Sequence, residues 1–282
     1  MPHRRHRNCG DYRNKQMKIS PPTKNKSKHC FPLSMGSKAF PPVGLAILLL
    51  PLQLLVSFAV DMPIYVLKSQ NLIGSNSVLD LFQDLWAFVI TLWIIQLWSK
   101  RPWLNLLALR RVGLNIWWPI LVSILGLYFL MGYTAVLVEI IFPVRGWFAG
   151  FLLNMDFLAL VISAPLTEEI LDRGVILGGF LERYGRIKAI LLSASIFALG
   201  HLNPWQLIPA FIFAIFVGWV FAMSRSIWPG LAMHIANNWL CYMDQHFWAS
   251  PFNSHQHLPP IWIFGLGLLL VAWGIWQLNH IF

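Results

Sequence analysis

Residues 164–181 read APLTEEILDRGVILGGFL, and the reading of this run decides the fold. Two adjacent glutamates, Glu168 and Glu169, and an arginine, Arg173, sit among apolar residues. The chain around them is 57% hydrophobic, has 15 Trp and is only 11% charged, which is far from the balance of a soluble domain. Ionisable groups at membrane depth cost about 3 kcal/mol each on insertion scales, so they occur where they are paired and used. On a helix, Glu169 and Arg173 are four apart and share a face, with the acid on the N-terminal side. Glu168 is turned about 100° from Glu169 and has no basic partner at that spacing. The pattern predicts one glutamate neutralised in place and one left free as a general base.

Outward from this run, apolar stretches approach the roughly 20 residues that cross a bilayer. They predict an all-α integral membrane protein of about eight transmembrane helices, near 43–60, 82–98, 117–142, 148–166, 187–201, 205–223, 228–243 and 260–279. For the fourth, a span at 157–181 is the alternative, with Pro165 as a kink that would reconcile the two. Four regions follow: a basic tail over 1–40, N-terminal helices and an interfacial loop over 41–116, a core over 117–243, and a loop with a last helix over 244–282. The tail carries ten Lys or Arg with little to bury, so disorder is expected there. Net charge is +10, but the excess is concentrated in the tail, and no basic face for nucleic acid is expected. The 99–116 loop, KRPWLNLLALRRVGLN within its bounds, is expected to lie in the interface as an anchor. Lysines and arginines divide nineteen to two between the two sides of this topology, or nine to two without the tail. The positive-inside rule therefore predicts a multi-pass protein with both termini cytoplasmic.

Two more polar pairs follow at helical spacing: Phe197 with His201 in FALGH, and His234 with Asn238 in HIANN. Polar groups in apolar helices must find one another. Glu168, Glu169, Arg173, His201, His234 and Asn238 are expected to converge in one cavity between three helices, with Phe197 in its substrate pocket. Ser163, Ser193 and Ser195 lack a placed His–Asp pair, which argues against serine catalysis. Cys9, Cys30 and Cys241 are too scattered for a disulfide framework or a zinc knuckle.

EEILDR, FALGH and HIANN, in this order, resemble the three motifs of the CAAX-protease and bacteriocin-processing (CPBP) family of intramembrane proteases, over about residues 117–243. The resemblance implies a helical fold whose site opens towards the cytosol and membrane. It implies an endopeptidase acting on a membrane-associated peptide or protein, with membrane lipids around it. Glu168 and His201 would activate water, His234 and Asn238 would stabilise the oxyanion, and Arg173 would hold Glu169. Where the family has an aromatic residue before the arginine, this chain has Asp172, which would compete for Arg173. Glu168, His201 and His234 also form a His₂Glu set of the zinc-hydrolase kind, although no HExxH spacing is present. Metal-dependent and metal-free mechanisms both stand for this family; no tightly held zinc is expected, any divalent metal being weakly held, with His234 donating to Asn238. The rival from another class is a non-catalytic scaffold or a transporter. Inverted repeats would mark a transporter, and no internal repeat stands out.

Overall fold

The structure is a computed structural model that describes residues 40–74, 76–143, 156–248, 252 and 257–282. The basic tail lies outside the described residues. Among the described residues there are helices and no strands, as an environment without water for backbone groups requires. The helices are α1 (Val43–Ser69), α2 (Ser77–Ser99), the short α3 (Trp103–Leu107), α4 (Trp117–Ile141), α5 (157–183), α6 (Arg186–Gly200), α7 (Pro204–Ser224), α8 (Trp228–His246) and α9 (Ile261–Ile281). Five stretches are long and apolar enough to cross a bilayer: α1, α2, α4 with the turn before it, α7 and α9. The count of eight spans expected from sequence is not established by these criteria. The other helices fall short for visible reasons. With 15 residues, α6 is too short; α5 carries two Glu, an Asp and an Arg at its centre, and α8 carries His234, Asn237, Asn238 and Asp244.

The fourth helix follows the 157–181 alternative. It starts where Asp156 accepts the Leu158 N–H at 2.8 Å, an N-terminal cap. It ends at Arg183, before the Tyr184–Gly185 turn. Pro165 does not break it, and the glutamates therefore stand mid-helix. Two stretches of α5, Ala159–Ser163 and Glu169–Leu177, are wound as π-helix, with i→i+5 bonds in place of i→i+4. All nine residues of the second stretch are buried.

Lipid tails are as apolar as leucine, so packing depends on close approach. Along the crossing of α4 and α9, a Cβ on Gly126 would stand 2.9 Å from the Gly267 carbonyl oxygen. Backbone thus lies on backbone. In the centre, Leu127, Phe197, Phe213, Phe216, Val217 and Met233 form one buried cluster.

The 99–116 loop does more than anchor. Its apolar side is divided: Leu104 and Leu114 are exposed, whereas Leu106 and Ala108 are buried against the bundle. A Cβ on Gly174 would collide with the Leu106 carbonyl. Ile227 N–H donates to Ala108 O at 3.2 Å, and Ser226 Oγ donates to Arg110 O at 2.6 Å. The loop therefore clamps α5 and the turn between α7 and α8.

Candidate active site

Within α5, the two glutamates diverge in environment. The Glu169 side chain is wholly buried, while that of Glu168 is 36% exposed. Glu169 Oε1 accepts a hydrogen bond from His234 Nδ1 at 3.0 Å and forms an ion pair with Arg173, whose Nη1 stands 3.1 Å away. Arg173, 2% exposed, also lies over the Phe197 ring, with its guanidinium carbon 4.5 Å from the centroid. A buried guanidinium is thus neutralised by one carboxylate and faced by one aromatic π-surface, both favourable in a dry site. Asp172 does not take part. No ion pair joins it to Arg173 among the described residues, and one of its buried carboxylate oxygens has no hydrogen-bond partner. Its backbone carbonyl lies 3.4 Å from Ser193 Oγ.

Both ring nitrogens of His234 face acid. A carboxylate only accepts, so Nδ1 carries the hydrogen it gives to Glu169. Nε2 lies 3.8 Å from Glu168 Oε2. This departs from the expected His234–Asn238 pair. The second acceptor for the imidazole is Glu169, 65 positions away in sequence. Asn238 instead donates through Nδ2 to Leu160 O at 2.9 Å and receives Asn237 Nδ2 on Oδ1 at 3.3 Å. The Phe213 ring packs on His234 with centroids 5.1 Å apart.

His201 ends the α6 run. Its Nδ1 donates to Phe197 O at 2.9 Å, one helical turn back, which leaves Nε2 as the acceptor in the neutral ring. Phe197 touches both histidines, with ring centroids 4.9 Å from His201 and 6.0 Å from His234.

A cavity of about 170 Å³ is lined by Phe197, His201, His234 and Asn238 among others, whereas Glu168, Glu169 and Arg173, expected in the same cavity, are not among its lining residues. Its apolar wall comes from α4, through Tyr128, Met131, Gly132 and Ala135. Sequence reasoning did not assign that wall, because α4 is apolar around its whole circumference and shows no face. Asp244 and Gln245 line the cavity too, and were equally missed. They follow His234 and Asn238 along α8, and that spacing is the signal that could have found them. The serines are engaged elsewhere: Ser163 donates to Asp84 at 2.8 Å and Ser195 to Leu191 O at 2.9 Å.

The same geometry tests a metal. Among the described residues, no three His, Cys, Asp or Glu side chains are gathered to share one ion. Both histidines donate through Nδ1 to a protein oxygen, which leaves each Nε2 open, but Glu168, His201 and His234 are not gathered about one point. As placed, these residues do not fit a zinc centre.

Residues 150–240 match the family model described as type II CAAX prenyl endopeptidase Rce1-like. No curated protein and no solved structure matches the chain. The matched stretch contains EEILDR, FALGH and HIANN entire, and excludes α4, which supplies the apolar wall. This core is similar to the CAAX-protease (CPBP) family of integral membrane proteases.

Proposed function

We propose that the chain is an intramembrane endopeptidase that cleaves a membrane-associated peptide or protein with water activated at Glu168. One observation carries this reading. Of two adjacent glutamates, Glu169 is buried and held by Arg173 and His234, while Glu168 stays partly open, its Oε2 facing His234 Nε2 at 3.8 Å without a hydrogen bond. A partly exposed carboxylate next to His234, which lines the cavity, would take a proton from water. The hydroxide formed attacks the scissile carbonyl carbon. Glu168 then returns the proton to the departing amine as the C–N bond breaks. His201, which lines the cavity, would hold the same water through Nε2. His234 and the Asn238 amide would stabilise the oxyanion, each donor contributing about 3 kcal/mol. Asn238 must leave Leu160 O or share its second N–H to do so. Arg173 and Glu169 act as positioning residues by fixing His234. Both termini are read as cytoplasmic.

Purified native protein and Glu168→Gln, compared on peptides from the membranes in which the chain is expressed, provide the test. The variant keeps shape and loses basicity, so cleavage is expected to fall by at least about 10²-fold with an unchanged melting temperature. Cleavage at the native rate by Glu168→Gln would end this reading. Activity is also expected to survive a chelator. Loss of activity restored by stoichiometric zinc would instead make Glu168, His201 and His234 ligands.

A further inference from the structure

The bundle has two chemically distinct ends. At one, Arg101 pairs with Glu182, Ser226 bonds Arg110 O, and Arg186 reaches Met223 Sδ at 3.2 Å. These contacts bring together the α2–α4 loop, the α5–α6 turn and the α7–α8 turn. The start of α1 is there too, since a Cβ on Gly179 would meet the Phe40 carbonyl. So is the end of α9, with Phe282 ring-packed on Trp219. Eight of the lysines and arginines beyond the tail belong to this end: Lys100, Arg101, Arg110, Arg111, Arg183, Arg186, Lys188 and Arg225. At the other end, the described residues include only Lys68, paired with Asp80. Arg145 falls in the connection between α4 and α5, outside the described residues.

The cavity lining lies mostly in helix halves remote from the basic end, and reaches the middle of the bundle at Tyr128, His234 and Asn237. Ala135 is late in α4, Leu160 early in α5, and His201 follows α6; Trp205 and Gln206 begin α7, and Gln245 closes α8. Trp205 Nε1 donates to Ala135 O at 3.1 Å across that end. No residue of the three basic turns lines the cavity. Lysine and arginine in short connections are retained on the cytoplasmic side during insertion. We infer that the cavity is entered from the non-cytoplasmic face, so that the substrate is a peptide or protein segment presented on that side of the membrane. This departs from the cytosolic opening implied by the family resemblance, because the charge distribution and that opening point to opposite ends of one bundle.

The inference rests on reading the cavity as the substrate site, but its test measures access and not cleavage. In full-length protein with Cys9, Cys30 and Cys241 changed to Ala, single cysteines would be placed by Gly74→Cys, Gln206→Cys and Gly185→Cys. Gly74 and Gly185 have open space where a side chain would go, so both loop reporters are tolerated even if the cavity variant folds poorly. A membrane-impermeant maleimide on intact cells is expected to label positions 74 and 206 at least about tenfold more than 185. Position 185 should label only after permeabilisation. Labelling of 185 but not 74 in intact cells would overturn the inference. So would labelling at 74 with none at 206 in a folded variant, because the cavity would then be closed on that side. Either result leaves the Glu168 chemistry standing.

Discussion

The basic end and the cavity end of the bundle are built by opposite means. At the basic end, backbone meets backbone: the Leu106 carbonyl sits on Gly174, the Phe40 carbonyl on Gly179, and Ile227 bonds Ala108. At the cavity end, contacts run mainly through side chains, including Phe157 on Tyr242 and the Phe252 ring against Gly132. Backbone contacts leave no slack, whereas aromatic walls enclose space. The difference fixes α5 rigidly at its basic half and lets the cavity half carry a site. Glu168 and Glu169 stand at the junction of the two regimes.

The largest effect should come from the ion pair at that junction. Glu169→Gln removes the charge that holds Arg173 and His234, and breaking a buried pair costs about 3 kcal/mol. Thermal unfolding in detergent should show the loss, whereas Glu168→Gln should melt like the native protein. Equal melting of both variants would erase the distinction between the two glutamates. Next is Gly230→Ala. Its Cβ would lie 2.5 Å from Glu169 Oε2 and 2.9 Å from Val217, so Glu169 must move and carry His234 with it. Misplacement on this scale is expected to lower kcat/KM by on the order of 10²-fold while the fold persists. Gly174→Ala probes the clamp alone. A side chain there meets backbone that cannot swing aside, so stability should fall by about 1–3 kcal/mol by the same unfolding measurement. A neutral result would show that the basic end is looser than its contacts indicate.

The smallest effect concerns the other end of α5. Asp156→Ala should cost about 1 kcal/mol by removing the cap, and Asp156→Asn much less. The Ser77 hydroxyl holds the Asp156 carboxyl below its ordinary value of 3.8. A depressed folded-state value stabilises above the unfolded one. That contribution is therefore present above about pH 4 and lost as the pH falls through the folded value. Melting of the native protein and of Asp156→Asn between pH 3 and 6, about the ordinary carboxylate range, would separate the charge from the cap.

Chemistry-bearing residues were legible in the sequence because each is costly in an apolar helix. Glu169 with Arg173 could be read from spacing alone, since an i,i+4 pair survives the widened turn at 3.1 Å. The partner of His234 could not, because Glu169 lies on another helix and nothing local points to it. The role of the 99–116 loop was hidden for a related reason. Leu106 and Ala108 look like their exposed neighbours Leu104 and Leu109 until α5 and the Ser226–Ile227 turn are set against them. Faces of α4 and α9 carry no periodic signal, since lipid and protein interior favour the same side chains. Of the two spans the sequence left open for the fourth helix, 157–181 holds over the described residues, 148–155 lying outside them; its start rests on a single aspartate cap, and its centre is polar where a hydropathy reading expects an end.

The π-wound turn over Glu169–Leu177 acts as a phase shifter. A π turn holds one residue more than its α counterpart, so the two halves of α5 are rotated relative to what a continuous α-helix would give. Glycines 174 and 179, which dock on the Leu106 and Phe40 carbonyls, lie within or beyond this turn, while Glu168 precedes it. Deleting one residue from 170–172 would let the helix relax to an even α pitch with its docking glycines still engaged. Glu168 would then swing by about 100°, away from His234. The surplus residue is thus a gear tooth that lets one helix keep its grip on the scaffold and still set a carboxylate against His234.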